Sequence, residues 1–564
     1  MQCGDPNLLL GEMTADPSRP THAAGSPAFT AADVDRFHTG GWWTGDTLWD
    51  DVVRHATADP DGDAFIGTHT RLSWLGYRDA AHRLAGHLLA TGLERGDRLA
   101  IWLPDGPTVH VAFLAAELAG LVTVGVGARA GMRELHHLVG ATGARALLSH
   151  DRQRDQETTA VASELGVVHV VIGDVAAEPG ADVRVDGKVV QPPDGWEKLL
   201  DDRRFGPDEL WLINSTSGTT GLPKCVMHTQ NRWRAFHRMA VTAGALTGDD
   251  VFCSAIPAPF GFGLWTAHFT PTYLGSPCVV PERFHPDELL RSLADERVTV
   301  LACVSTQFIM MLASPELERV DLSMLRVMFT GGEAVPYERA AAFEDQTGAT
   351  VLQFYGSNET GAISYTTLEH PREVRLRTAG SLIDVMEVRL FDEERGVEVL
   401  DGNRGRPAGR GPAACLGYWG DPGANAELFT DDGWMLMGDV VELDDAGHLS
   451  VVGRTSDFII RGGKNISAPA VEELVSSHPA IALAAAVAVP DPIFGERVGI
   501  VVQLRDGATV ELPDVVAHLK ALGAGNELLP EHLFIVDELP RSSGGKVAKG
   551  ELRELVQRLA AGDT

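Results

Sequence analysis

At 564 residues and 44% apolar content, the chain is too long for a single core and predicts two or more globular domains. Its 47 Lys and Arg against 78 Asp and Glu leave a net charge of −31, which excludes the basic footprint of a nucleic-acid partner but not a local nucleotide pocket. The cysteines (Cys3, Cys225, Cys253, Cys278, Cys303, Cys415) lack CxxC spacing and no apolar run reaches membrane-spanning length, so neither a zinc or disulfide framework nor a membrane span is expected.

Residues 1–44 read as an irregular lead-in without the apolar segment of a secretory signal. From residue 45 the pattern alternates. TLWDDVVRHATADP predicts a helix, AFIGT a short strand, and YRDAAHRLAGHLLATGL a helix with apolar residues at helical spacing. RLAIWLP predicts a buried strand, VHVAFLAAELAG a helix and LVTVGVG another strand. The alternation continues through WLINS and NRWRAFHRMAVTAG. PFGFGLW predicts an aromatic, glycine-rich turn. Segment 385–452 is richer in short strands and turns. Beyond a boundary at Arg454–Ser456 lie the strands and helices of a smaller unit. The fold class is α/β: a large multi-subdomain N-terminal region, 45–454, has sheet cores flanked by helices, and a small α+β C-terminal domain spans 455–564.

Between an apolar run and Cys225 the chain reads STSGTTGLPK. Hydroxyls and glycines in succession let backbone amides converge on an anion, and Lys224 adds a flexible cation suited to phosphate. The spacing differs from a Walker loop, which requires Gly-Lys-Ser/Thr at its end. Three further segments carry polar chemistry. In FYGSNETG, Glu359 is a hard oxygen ligand for Mg²⁺ beside Ser357 and Asn358. In GDV, Asp439 can accept from two ribose hydroxyls. In LPRSSGGKVAKGELR, Lys546 lies on a glycine-rich loop.

Together these segments resemble the adenylate-forming superfamily of acyl-CoA synthetases, aryl-acid activating enzymes, luciferases and peptide-synthetase adenylation domains. The resemblance runs from about residue 45 to 556. It is carried by TSGTTGLPK, GGEAVP, YGSNE, GYWGDP, GWMLMGD, GRTSD and PRSSGGK, and is nearest to medium-chain, alicyclic or aromatic carboxylate–CoA ligases. It implies ATP, Mg²⁺ and coenzyme A as cofactors, and adenylation of a carboxylic acid followed by thioester formation. Thr216, Ser217, Gly218, Thr219, Thr220, Gly221 and Lys224 become a clamp for the β- and γ-phosphates. Gly332, Glu333, Ala334, Phe354, Tyr355 and Gly356 line the adenine pocket, Asn358 meets phosphate and Glu359 holds Mg²⁺. Asp439 and Arg454 take the ribose, and Lys546 bridges the acyl carboxylate and the α-phosphate. After a rotation of the C-terminal domain, Arg461, Gly462 and Gly463 border the pantetheine tunnel and Asn465 meets the adenylate phosphate.

The resemblance also has departures. Phe260 stands at a histidine position, Asn358 and Met437 at threonine positions, and Ser456 at the hinge place where Asp or Lys is usual. The acyl pocket is expected at Phe260, Phe262, Gly263, Ser305, Thr306, Gln307 and Thr330, mainly apolar surroundings that suit a hydrophobic acid. Gly261 falls where enzymes selective for a 2-hydroxybenzoate carry Asn, which weighs against such acids. The expected partners are a small carboxylic acid and CoA, in a soluble, cytoplasmic monomer or homodimer. The alternatives are a ligase that loads a carrier-protein phosphopantetheine and, in another class, a noncatalytic nucleotide-binding interaction protein.

Overall fold

The computed structural model describes residues 19–560 except 154–155, 179, 217–222, 334, 393–396, 400–401, 455–457, 462–463, 492–493, 523 and 542–546. Two large sheets organise the N-terminal region. In one, Val168–Val171, Ala146–Ser149, Arg98–Trp102, Val122–Val126 and Leu212–Ser215 run parallel in that spatial order. Cys225–His228 closes this edge antiparallel to Leu212–Ser215. In the other, Asp63–Ile66, Cys278–Val279, Phe252–Ser254, Val300–Ala302, Val327–Gly331 and Thr350–Ser357 are parallel, with Gly361–Tyr365 returning antiparallel. Near-continuous apolar runs make strands of this kind because both faces are covered.

The helix Pro107–Leu118 is buried along its whole length. Its sequence, PTVHVAFLAAEL, is apolar nearly all round, the composition of a helix with no solvent face. Three polar side chains are trapped with it, Thr108, His110 and Glu117. His110 Nδ1 lies 3.2 Å from His268 Nδ1, and burial pushes the His110 imidazole down to about 3. Glu117 is 1% exposed.

The predicted alternation of helices and strands is present, and 385–452 forms its own five-stranded sheet around Glu387–Phe391, Arg404–Arg410, Asp439–Leu443 and Leu449–Arg454. Within 19–44 the helix Ala31–Thr39 is closed by a capping box between Thr30 and Asp33, and Asp33 also pairs with Arg410 at 2.5 Å. PFGFGLW departs from the predicted turn. Gly261–Gly263 starts a helix that widens to a π-helical stretch at Leu264–Phe269 and continues through Thr270–Leu274. Gly263 allows this because a Cβ there would lie 2.2 Å from the Pro257 carbonyl oxygen.

The small C-terminal unit is a five-stranded sheet of Lys464–Ser467, Phe458–Arg461, Gly495–Leu504, Ile481–Asp491 and His532–Val536, with helices Ala468–Ser476, Leu512–Ala521 and Lys549–Ala560. It shares an apolar cluster with the large region, in which Leu483, Val487 and Leu539 join Phe308, Ala340 and Phe343, and polar contacts add to this. Arg339 donates to the carbonyls of Ser476 and Ile481, and Arg541 donates to Thr306 Oγ1 at 3.3 Å.

Burial pushes the Glu117 carboxyl up to about 8 from its ordinary value of 4.5. The folded chain therefore keeps a proton that the unfolded chain loses, and Glu117 costs stability progressively as pH rises between those values. Glu117→Gln, which cannot ionise, should melt closer to the parent at pH 5 and gain on it toward pH 8. The relative gain should be on the order of a few kcal/mol, measured by thermal unfolding across pH; parallel pH profiles would contradict it.

Candidate active site

Three of the segments predicted to carry chemistry begin at the carboxyl ends of parallel strands, where open α/β sheets bind ligands. Ser215 ends one strand and leads into Thr216, Gly331 ends another and leads into Gly332, and Thr350–Ser357 leads into Asn358 and Glu359. The phosphate-loop sequence is closed at its base: Thr216 N–H donates to the Lys224 carbonyl at 3.1 Å, and Lys224 N–H donates to Thr216 Oγ1 at 3.3 Å. Ser217, Gly218, Thr219, Thr220, Gly221, Ala334, Gly462, Gly463 and Lys546 lie outside the described residues, as do the side chains of Arg454 and Asn465.

Lys224 and Glu359 come together around a third side chain. The Tyr418 hydroxyl donates to Glu359 Oε1 at 2.6 Å, and Lys224 Nζ lies 4.9 Å from the centre of the Tyr418 ring. Glu359 is one carboxylate with one oxygen already bonded. That donor set fits a Mg²⁺ ion arriving on phosphate oxygens rather than an all-protein cage. Nearby, the Tyr355 hydroxyl donates to Asp439 Oδ2 at 3.0 Å, and Asp439 faces Arg454 across paired antiparallel strands.

Asn358 belongs to a buried relay whose polarity is set at both ends. At one end the Pro259 carbonyl can only accept, and it takes a bond from Asn214 Nδ2 at 3.0 Å. Asn214 Oδ1 must then accept, and it does so from His228 Nε2 at 2.6 Å and Asn358 Nδ2 at 2.7 Å. At the other end the Arg232 guanidinium can only donate, to His228 Nδ1 at 2.5 Å and the Asn358 carbonyl at 2.9 Å. Burial and the Arg232 charge hold the His228 imidazole neutral, and burial pushes Arg232 down to about 10. Asn358 Oδ1 is left buried without a hydrogen-bond partner. It sits 2.8 Å from where a Cβ on Gly261 would be, so an amide from position 358 fills the space of a side chain at 261.

The expected acyl-pocket residues divide. Phe262 stacks on Trp265 with ring centres 5.6 Å apart, and Trp265, Phe329, Phe236 and Phe354 make edge or tilted contacts at 5.1–5.7 Å. Phe354 is thus part of an aromatic cluster as well as a neighbour of Tyr355. Phe260 is half-buried and precedes the Gly261 helix. Ser305, Thr306 and Gln307 begin the helix Ser305–Ala313. The Gln307 amide is committed to backbone, donating to the Ala255 carbonyl and accepting from Val304 N–H. Glu333, expected at adenine, accepts the Ser305 N–H at 2.7 Å and so anchors the start of that helix. Thr330 is fully buried. Gly356 has no room for a side chain, since a Cβ would meet the Gly361 carbonyl at 1.9 Å. Arg461 pairs with Glu531 at 3.1 Å within the small unit.

Tyr418, Arg232, His228 and Asn214 join the site although sequence reasoning assigned them no chemistry. The available signal was polarity out of place: NRWRAF puts an arginine at the start of a helix whose first residues are buried.

A large α/β body of mixed sheets and helices joined to a small α+β unit is the architecture of adenylate-forming enzymes. Residues 52–419 match the family model "AMP-binding enzyme" and 470–546 match "AMP-binding enzyme C-terminal domain"; the chain belongs to the AMP-binding enzyme family, in its adenylate-forming ligase branch. A salicylyl-CoA synthase/salicylate adenylyltransferase from Streptomyces is 32% identical over 537 residues, covering 93% of this chain and 96% of that protein. A medium-chain fatty-acid–CoA ligase from Escherichia coli is 30% identical over 527 residues, covering 92% of each. Among solved structures, ATP-bound MatB from Rhodopseudomonas palustris superposes with a TM-score of 0.77 at 26% identity, over 91% of this chain and 99% of that one.

Replacing Arg232 with Leu removes the donor to both His228 and the Asn358 carbonyl. Each buried acceptor left bare costs about 1–3 kcal/mol, so the first thermal transition of Arg232→Leu should fall by about 5 °C or more. A calorimetric scan checks this; an unchanged transition would show that the relay is not held by the guanidinium.

Proposed function

We propose that the chain is an ATP-dependent carboxylate–CoA ligase that forms an acyl-AMP and then an acyl-CoA, releasing pyrophosphate and AMP, with a hydrophobic medium-chain, alicyclic or aromatic acid as substrate. The observation that carries this reading is the meeting of Lys224, Glu359 and Asn358 at one set of strand ends, with the Tyr355–Asp439 pair beside them. The aromatic cluster around Phe262 and Phe354 supports an apolar acyl group, and the two relatives named above act on acids of this kind by their names.

In this reading a carboxylate oxygen attacks the α-phosphorus and the bond to pyrophosphate breaks. The acid is already ionised near neutral pH, so no base is required. Lys224 offsets charge on the leaving phosphates, and Asp439, oriented by Tyr355, accepts the ribose hydroxyls. Mg²⁺ held by Glu359 and the triphosphate supplies further charge neutralisation when bound. Lys546 bridges the attacking carboxylate and the α-phosphate. It immediately precedes Val547, which pairs with Arg541, and Arg541 reaches Thr306 at the start of the helix Ser305–Ala313. For the second step, residues 455–564 turn as a mobile domain. Arg461, Gly462 and Gly463 then border the pantetheine tunnel, Asn465 meets the adenylate phosphate, and a thiolate attacks the acyl carbon and expels AMP.

Lys546→Ala should lower acid-dependent ATP–pyrophosphate exchange by at least about a hundredfold while leaving most thioester formation from a presented acyl-adenylate. Equal loss of both half-reactions would overturn the two-step assignment of Lys546. The substrate is tested by AMP release over a panel that includes octanoate, cyclohexanecarboxylate, benzoate and salicylate, with CoA or a holo-carrier protein as acceptor. Turnover with CoA on an apolar acid is the expected result; turnover only with the carrier would reassign the acceptor, and no turnover with any acid would defeat the ligase reading.

A further inference from the structure

Tyr418 lies in the GYWGDP segment, to which no chemistry is assigned, yet its side chain meets two charged groups of the proposed nucleotide site, Lys224 and Glu359. Its position is set by backbone register. Leu416 N–H donates to the Met227 carbonyl at 3.0 Å, Met227 N–H to the Gly417 carbonyl at 3.0 Å, and Trp419 N–H to the Cys225 carbonyl at 2.8 Å. Tyr418 thus bridges Val226 on the strand Cys225–His228, which begins one residue after Lys224. Asn425 pins the same peptide from the other side, its Oδ1 accepting from Tyr418 N–H and its Nδ2 donating to the Tyr418 carbonyl, each at 2.8 Å. Gly417, at φ +108°, permits this approach, because a Cβ there would lie 2.9 Å from Asn425 Oδ1.

The segment also grips Glu359 twice. Cys415 N–H donates to the Glu359 carbonyl at 2.8 Å and the Tyr418 hydroxyl donates to Oε1 at 2.6 Å. Behind it, Ser26 Oγ donates to the Leu416 carbonyl and Trp43 Nε1 to the Pro412 carbonyl, so residues of the N-terminal lead-in brace the segment from below. Tyr418 is 6% exposed. Facing a carboxylate oxygen, which can only accept, the phenol hydroxyl is the donor.

We propose that Tyr418 is a positioning residue of the nucleotide site: its hydroxyl fixes Glu359 through Oε1 so that Oε2 is presented to the metal, and its ring face holds the Lys224 ammonium apart from that carboxylate until phosphate arrives. A phenol–carboxylate bond of this length is charge-assisted and sets the carboxylate's rotation. The contact of Lys224 with the ring is weaker than an ammonium–phosphate pair, so it orients the lysine without competing with the triphosphate. Lys224 is 41% exposed on its side chain and its other neighbour, Glu427 at 4.0 Å, is 81% exposed, so the ring is its better-defined contact.

This inference rests on the proposed nucleotide site, and binding measurements separate it from the proposed reaction. The probe is Mn²⁺ with α,β-methylene ATP, with free Mn²⁺ followed by electron paramagnetic resonance and metal-free nucleotide binding by calorimetry. Tyr418→Phe keeps the ring and loses the hydroxyl. It should weaken Mn²⁺ binding in the nucleotide complex by about tenfold and leave metal-free nucleotide affinity unchanged. Tyr418→Leu loses both functions and should also weaken metal-free nucleotide binding by about threefold or more. Unaltered Mn²⁺ affinity in Tyr418→Phe overturns the hydroxyl's role, and identical behaviour of the two variants overturns the ring's. Should the Leu variant fail to fold, Tyr418→Met, which also lacks the ring, takes its place in the same comparison with Tyr418→Phe. A parent that binds Mn²⁺ and nucleotide but exchanges no pyrophosphate with any acid defeats the proposed reaction and leaves the Tyr418 assignment standing; a parent that binds neither defeats both.

Discussion

The constraint on which the site depends is the fixed polarity of the relay between the Arg232 guanidinium and the Pro259 carbonyl. One end can only donate and the other can only accept, so every amide and imidazole between them has a single orientation. The relay ties three separate pieces together: the strand end at Asn214, the loop at Pro259 and the segment Asn358–Glu359. In a buried setting a reversed amide would leave two polar groups unpaired, so the relay holds those pieces in one relative position.

A second consequence concerns charge. The chain carries a large acidic excess, yet the proposed site assembles Lys224, Arg232 and Glu359 within one group of strand ends. The two cations are handled differently. Arg232 is buried and consumed by internal hydrogen bonds, so it acts as a strut. Lys224 is half-exposed over an aromatic ring and remains available to an incoming anion. A structural cation and a ligand-seeking cation within reach of the same segment are told apart by burial alone.

Position 261 shows how two positions far apart in the chain share one space. A glycine there reads as the loss of a side-chain amide from the acyl wall. In the folded chain Asn358 Oδ1 enters the space that this glycine leaves.

Much of the architecture was legible before the structure. Alternating apolar and helical periodicities announced parallel sheets with covered faces, because such strands need apolar residues on both sides, and the short strands after residue 385 announced a change of layer. The motif segments located Lys224, Glu359 and Asp439, since glycine, hydroxyl and carboxylate patterns are local properties of the chain. The PFGFGLW stretch read as a turn because two glycines suggest one. Burial against Pro257 and the aromatic cluster made it helical instead. Tertiary structure alone decided that Glu333 anchors a helix start, that Gln307 is spent on backbone, and that Tyr418 stands between Lys224 and Glu359. These last facts join residues from 28 to nearly 200 positions apart through strand register and helix packing, and no local pattern in a sequence encodes which distant groups will share a desolvated space.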